Sequence, residues 1–365
     1  VSAPRVLLSG LVLGQPMGGV RRHNAELLPR AARLLARAGG GLEVVLARRG
    51  TPIELAPPVE TTRSWAPSGP PLVRAWAEPR VLRGRLAAAR GRGLAFDLVH
   101  TAHLPAPGGL PVPYTLTLHD LRALELRELS SLRRRLGPRL IAAAVRGAAA
   151  VITVSEHVRA LVEERFAPRR TFVVPNAGDH LPVLPRAPGP DAELLAVGHL
   201  EPRKNLGLLL RALAFDPELP PLARAGAAHG DERKRLERLA AELGVARRVR
   251  FLGSVPDETL PQLYARCAAV VLPSRLEGFG IGVLEALRAE APLAISDLQV
   301  LREVAGQDVP TFAPDDPAGC AGAIRTALAQ SAATLAALAS HARRFAWQRS
   351  AEALVEAWSS VAAAP

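Results

Sequence analysis

Short apolar runs alternate with amphipathic stretches along the whole chain. In the first half, "RVLLSGLVL", "LEVVLA", "FDLVH", "YTLTLHD", "AVITVS" and "TFVVPN" are rich in Val and Leu and too short for helices, so they are predicted to be buried strands. Arg- and Ala-rich stretches between them, such as 24–38 and 131–148, carry a helical pattern. A second series contains the strands "ELLAVGHL", "VRFLGSV", "AAVVLPS" and "APLAISD". Its helices are expected over 204–214, 231–243, 257–266, 281–290 and 298–304, followed by an Ala-rich helical tail over 317–363. Strands that alternate with helices imply a parallel sheet with helices on both faces. Two such series imply two doubly wound α/β domains in tandem.

The segment "HLPVLPRAPGPDA", residues 180–192, separates them with four prolines and a glycine. Proline removes backbone donors and favours extended chain, so this stretch is expected to be a linker. The expected division is a first domain over 1–180, a linker over 181–192, a second domain over 193–345, and a C-terminal helix over 346–365. That helix is a candidate for packing back toward the first domain.

Composition sharpens this picture in three ways. Aromatics are scarce at 4%, so the cores must rest on Leu, Val and Ala. Cys267 and Cys320 make no disulfide framework, which fits a reducing cytoplasm. No apolar run reaches the length of a membrane span, and "VSAPRVLLSG" reads as a first buried strand rather than a signal peptide. The net charge of +12 is unevenly shared. Residues 1–180 hold 26 Arg against 13 Asp and Glu, whereas residues 181–365 hold 20 Arg and Lys against 21 acids. The positive field of the first half is suited to an anionic partner: a membrane surface, an acidic substrate or nucleic acid.

The most informative stretch is "LPSRLEGFGIGVLEALRAE", residues 272–290. It reads as the end of a strand, a glycine loop and a helix beginning near Ile281. Glycines let the backbone approach a ligand, and a helix N-terminus points free N–H groups at it; phosphate is the usual guest. Glu277 and Glu285 would repel phosphate but suit hydroxyls, since a carboxylate accepts two hydrogen bonds from a vicinal diol. A ligand with phosphates in its middle and diols on both sides is a nucleotide sugar. "VGHLEPRKNLGLLLRAL" then places Arg203 and Lys204 between a strand and a helix on the same sheet edge, where both can neutralise a diphosphate. Asn205 is expected to cap the following helix.

"GHLEPRKN", "VRFLGSVPDETLPQLYARCAAVVLPSRLEGFGIGVLEAL" and "ISDLQVLREVAG…FAPDDP" resemble the C-terminal domain of retaining glycosyltransferase family 4, the "group 1" transferases of GT-B fold. The resemblance covers nearly all of residues 194–330. The first half resembles the family more loosely through "GGVRRHNAELLPRAARLL", "YTLTLHDLRAL", "VITVSEHVRALVEERF" and "VVPNAGD". Ala177 stands where the family usually has glycine, with Gly178 following. The resemblance implies two Rossmann-like domains facing across a cleft and a hexose-type sugar, mannosyl- or glucosyl-like, moved from a nucleotide-diphosphate donor to a glycan, lipid or small-molecule acceptor. It also implies roles at matching positions. Glu277 would contact sugar hydroxyls and Glu285 the ribose. Arg203 and Lys204 would hold the diphosphate. Gly280 and Ile281 would offer amides, with Ser274, Gly278 and Phe279 completing the donor loop. Gly18 and Gly19 would form a loop of the first domain facing the phosphate. His119 would lie near the transferred sugar, with Asp120 behind it.

Stabilising the departing diphosphate is the largest task in such a transfer. No D-x-D triplet occurs, so protein cations rather than a divalent ion are expected to do it, and no cofactor is expected. Asp315 and Asp316 read as caps of the next helix. His100 and His103 form H-x-x-H, but on a strand they would point to opposite faces, which argues against a metal site. Two other readings remain. A nucleotide-sugar 2-epimerase of similar fold would bind the same donor, although "EPRKN" and the two glutamates eight residues apart favour a transferase. A non-enzymatic nucleic-acid binder would suit the basic first half, but that half lacks interleaved aromatics and any recognised binding module.

Overall fold

The structure, a computed structural model, describes residues 3–15, 18–51, 53–104, 106–121, 131–228 and 230–364, with the side chains of Leu72 and 131–137 left aside. The chain forms two compact units: residues 1–176 with 347–365, and residues 177–346.

The first unit is built on a seven-stranded, all-parallel sheet. Its strands are β1 (Arg5–Gly10), β2 (Gly41–Leu46), β3 (Glu60–Arg63), β4 (Leu98–Thr101), β5 (Tyr114–Leu118), β6 (Ala150–Thr153) and β7 (Thr171–Val173). Their order is β3-β2-β1-β4-β5-β6-β7. The central strands are buried on both faces, which is why they read as unbroken apolar runs rather than alternating ones. Helices α1 (Gly18–Arg37), α2 (Pro71–Arg90), α3 (Ser131–Gly147) and α4 (Glu156–Phe166) accompany the strands. Ser155 caps α4 by accepting a bond from the Val158 amide at 3.1 Å.

The second unit repeats the arrangement with six parallel strands: β8 (Leu194–Val197), β9 (Leu222–Ala225), β10 (Val249–Gly253), β11 (Ala269–Leu272), β12 (Leu293–Ser296) and β13 (Thr311–Phe312), in the order β10-β9-β8-β11-β12-β13. Its helices are α5 (Leu206–Phe215), α6 (Glu232–Glu242), α7 (Leu260–Arg266), α8 (Ile281–Arg288), α9 (Gln299–Ala305), α10 (Pro317–Leu328) and α11 (Ala332–Ala342). The last helix, α12 (Trp347–Ala362), belongs to the first unit. It buries Trp347, Leu354 and Trp358, and Ser350 Oγ donates to the Pro175 carbonyl at 2.7 Å.

Three strands escape the sequence pattern, each for a physical reason. β3, "ETTR", is a polar edge strand. β13 is two residues long. β9 carries Arg224 in the middle of a buried run. The run "RVLLSGLVL" is also divided: β1 ends at Gly10 and the chain turns into a short 3-10 helix over Leu11–Gly14. The proline-rich segment 181–192 groups with the second unit rather than lying free between two bodies. Arg186 anchors it by donating to the carbonyls of Tyr264 at 2.7 Å and Cys267 at 2.8 Å.

Candidate functional site

In the second unit β8 and β11 are neighbours whose connections depart to opposite sides. Ligands of open α/β sheets bind beyond the C-terminal ends of strands at such a switch point. Two predicted segments converge there: residues 198–205 leave β8 and residues 273–280 leave β11. The Arg275 amide donates to the Arg203 carbonyl at 2.8 Å and joins the two loops.

Glu277 lies at the centre. Its Oε1 accepts from Lys204 Nζ at 2.6 Å and from Ser274 Oγ at 2.7 Å, and its Oε2 accepts from Arg203 Nη1 at 3.3 Å. Burial alone would raise the pKa of this carboxyl, but Lys204 and then Arg203 outweigh it and hold the group below its ordinary value. Arg203 also donates from Nε to Glu201 at 2.6 Å. The two cations expected to meet phosphate and the acid expected to meet sugar therefore form one ion-pair cluster.

The loop closes at Gly280, whose φ of 94° lies in the left-handed region. A Cβ there would also come within 2.6 Å of Leu301, so glycine is required twice over. α8 starts at the next residue, Ile281, and Gly280 has no side chain with which to cap its first-turn amides. Phe279 departs from the sequence expectation: its ring is buried, in edge contact with Phe345 at 5.9 Å, so only its backbone can serve a ligand. Asn205 occupies the cap position of α5 without capping it. Its side chain instead donates to the Pro314 carbonyl at 2.8 Å and accepts from Arg275 at 3.1 Å. Asp316 precedes α10 and its side chain likewise makes no capping bond.

Glu285, on the first turns of α8, has both oxygens engaged. Tyr264 donates its hydroxyl to Oε2 at 2.6 Å, and His180 Nε2 stands 3.0 Å from Oε1. Burial and then the Glu285 carboxylate hold the Tyr264 hydroxyl well above its usual pKa, so it remains a donor. Gly178 is packed so closely that a Cβ would meet Leu284 Cβ at 2.8 Å, which explains a glycine one place after Ala177.

Arg224 was not legible as a site residue. It sits on β9, is 2% exposed, and makes no ion pair among the described residues. Its guanidinium donates to the carbonyls of Ala196 at 3.0 Å, Gly198 at 2.5 Å and His199 at 3.0 Å, and to Ala225. Burial lowers its pKa to about 10, so it stays charged at neutral pH. With Lys204 and Ser274 it lines a narrow cavity. An arginine in a run of small and apolar residues, "LARAG", was the available signal. His180 and Tyr264 carried no such signal, since their role depends on where Glu285 comes to rest.

The first unit gathers a second polar cluster. His119 follows β5, is enclosed, and its Nε2 has no hydrogen-bond partner among the described residues. His23 on α1 meets it edge-on at 4.8 Å, and His103 stacks at 6.5 Å. His23 Nδ1 is 2.7 Å from Asn176 Oδ1. His100 Nδ1 is 2.8 Å from Thr115 Oγ1, and its ring meets Trp358 at 5.3 Å. His100 and His103, expected on opposite faces of a strand, join one cluster because β4 ends at Thr101 and frees the chain to turn. Among the described residues no group of His, Cys, Asp and Glu could hold a metal ion. Burial, the leading cause, keeps these rings neutral: His23 falls to about 4, His100 to about 3, and His119 well below the usual value. Nearby, Ser9 Oγ donates to Glu78 at 2.5 Å, and burial lifts that carboxyl to about 7. Gly18 and Gly19, expected in a loop, instead open α1. The side chains of Arg133, Arg134 and Arg135, which contribute to the positive charge of the first half, and residues 122–130 lie outside the described ones.

A family model for glycosyl transferases group 1 matches residues 185–345, and one for glycosyltransferase family 4 matches residues 17–180. The chain belongs to the group 1, family 4 glycosyltransferases. It is 35% identical over 235 residues to a D-inositol 3-phosphate glycosyltransferase of Geodermatophilus obscurus, a match covering 58% of this chain and 52% of that protein. It is 27% identical over 376 residues to the O-antigen chain mannosyltransferase B of Escherichia coli, covering 94% of this chain and 96% of that one. The chain spans about half the length, or less, of several curated relatives it matches. Among solved structures, the sucrose-phosphate synthase of Thermosynechococcus elongatus superposes with a TM-score of 0.75 at 20% identity, covering 97% of this chain and 98% of that one. That likeness is one of fold, the two-unit GT-B architecture of group 1 glycosyltransferases.

Proposed function

We propose that the protein is a retaining glycosyltransferase that moves a hexose-type sugar from a nucleotide-diphosphate donor to a glycan, lipid-linked or small-molecule acceptor, without a metal ion. The observation that carries this reading is the partly buried Glu277–Lys204–Arg203–Ser274 cluster at the switch point of the second sheet. Family membership and relatives named for glycosyl and mannosyl transfer support it.

Before donor arrives, the two cations are held by Glu277. A diphosphate offers them more negative charge than one carboxylate, and the first-turn amides of α8 add their dipoles. As the cations turn toward phosphate, the lone pairs of Glu277 become available to sugar hydroxyls. Glu285 offers the same to the ribose once Tyr264 and His180 yield. The leaving diphosphate gains charge as the anomeric bond lengthens, and Arg203 and Lys204 stabilise that charge more strongly than they do the ground state. His119 is neutral and its ring bonds the Ala102 backbone, so the unused Nε2 is an acceptor suited to a hydroxyl of the transferred sugar. A transfer assisted by the departing phosphate on the same face retains configuration.

The test is binding and turnover with GDP-mannose and UDP-glucose as donors. Replacing Arg203 and Lys204 together by alanine removes two charged hydrogen bonds of about 1.5–3 kcal/mol each. Turnover should fall by roughly two to four orders of magnitude, and the rise in melting temperature with nucleoside diphosphate should disappear. Unchanged turnover in that variant would refute the assignment.

A further inference from the structure

The protein has four tryptophans, and they divide into two pairs. Trp347 and Trp358 are fully buried, whereas Trp65 is 54% exposed and Trp76 is 55% exposed. The exposed pair is in contact, edge to face, with ring centroids 5.9 Å apart. Trp76 lies on α2, and the outward positions of that helix follow its period: Val73, Trp76, Arg80, Arg83, Ala87 and Arg90 are all exposed. The stripe is graded. Its first turns are apolar, with Val73 at 45% exposure beside the tryptophan pair, and its later turns are cationic.

The guanidinium of Arg80 sits 4.1 Å from the centroid of Trp76. Arg83 donates to the Gly108 and Gly109 carbonyls. Arg80, Arg83 and Arg90 form no ion pair among the described residues. Arg63 is exposed two residues before Trp65. Arg48, also exposed, donates its amide to the Ala66 carbonyl at 2.8 Å, which brings the Arg48–Arg49 pair beside Trp65. Acid is nearly absent. The one carboxyl on α2, Glu78, points inward to Ser9. Glu60 lies at the far end of β3 and acts on Arg85, which is itself committed to Glu43.

Two tryptophans held at the surface are a large exposed apolar feature for a protein so poor in aromatics. Indole is at home where one side is apolar and the other wet, as at a bilayer interface. A field of arginines with few acids among the described residues complements anionic headgroups. We propose that Trp65, Trp76 and the exposed stripe of α2 form a docking surface for an anionic lipid bilayer. The rings seat at the headgroup level and the arginines engage lipid phosphates. Among the described residues no helix is long and apolar enough to cross a membrane, so this contact is with the membrane surface. The surface is carried by the first unit alone and does not depend on the donor reading.

Sedimentation with phosphatidylcholine vesicles, with and without phosphatidylglycerol, tests it in the full chain. Binding should require phosphatidylglycerol and weaken steeply with salt. Indole emission should shift to the blue on binding and be quenched by brominated acyl chains. The Trp65→Ala/Trp76→Ala variant should bind at least tenfold more weakly and lose the shift. Arg80→Gln/Arg83→Gln/Arg90→Gln should lose roughly fivefold per arginine. A melting temperature and a donor-induced melting shift equal to those of the parent show that each variant is folded. Vesicle binding that is absent, or that survives loss of both tryptophans, overturns the proposal. So does binding of soluble oligosaccharide by the tryptophan pair in place of vesicles.

Discussion

Each unit sets a polar cluster against a parallel sheet, yet the two clusters solve burial in opposite ways. In the second unit Glu277 is buried charged, because Lys204, Arg203 and Ser274 surround it. In the first unit His23, His100 and His119 are buried neutral, because rings, threonines and tryptophans surround them and, among the described residues, no carboxylate pairs with them. A charged cluster is ready to exchange one anion for another. A neutral one offers hydrogen bonds and shape without attracting charge.

Acid should separate the two most clearly. The histidine pKa values are depressed in the folded state, so their contribution to stability is complete above the unfolded value near 6.5 and is lost as pH falls through about 4 and 3. Each such ring costs about 1.4 kcal/mol per pH unit across that range. Glu78, raised to about 7, works in the opposite direction, but one carboxyl faces several rings. Glu277 is depressed below its usual 4.5, so its contribution holds until pH drops below that value. Between pH 6.5 and 4.5 amide exchange should therefore accelerate in β4, β5 and α1 by a few kcal/mol of opening free energy, while β8 and β11 stay protected. Equal loss in both sheets would erase the distinction.

A smaller effect tests the charged cluster directly. Lys204→Met leaves the Glu277 carboxylate with only Arg203 and Ser274 and should destabilise the second unit by about 1–3 kcal/mol, the cost of removing a charged hydrogen bond. Adding Glu277→Gln should recover much of that loss, giving a coupling of at least ~1 kcal/mol in a double-mutant cycle read by denaturant unfolding. Additive losses would mean the ion pair is incidental. Smaller again is Gly280→Ala. The left-handed φ and the Leu301 contact should cost about 1–3 kcal/mol and weaken donor binding with it, measured by unfolding and by the nucleotide-induced melting shift. No change would mean the loop that opens α8 is not under geometric constraint.

Apolar periodicity determined much of this protein. Buried parallel strands must be apolar throughout, so most of them, and the alternation of strand with helix, are legible in the amino-acid sequence alone. The glycine loop and the Arg203–Lys204 pair are legible for a related reason: their chemistry lies in residue types at short spacing. Partnership across the fold is not. That Lys204 meets Glu277, that Tyr264 and His180 hold Glu285, and that His23 and His103 close on His119 depend on which strand ends become neighbours. β9 stayed hidden because a strand with an arginine at its centre breaks the apolar pattern, and the carbonyls at and just after the end of β8, with that of Ala225, make that arginine tolerable. Local pattern fixes where the chain can be strand, helix or loop. Long-range contacts alone decide which charges are paired, because pairing depends on distance in space and not along the chain.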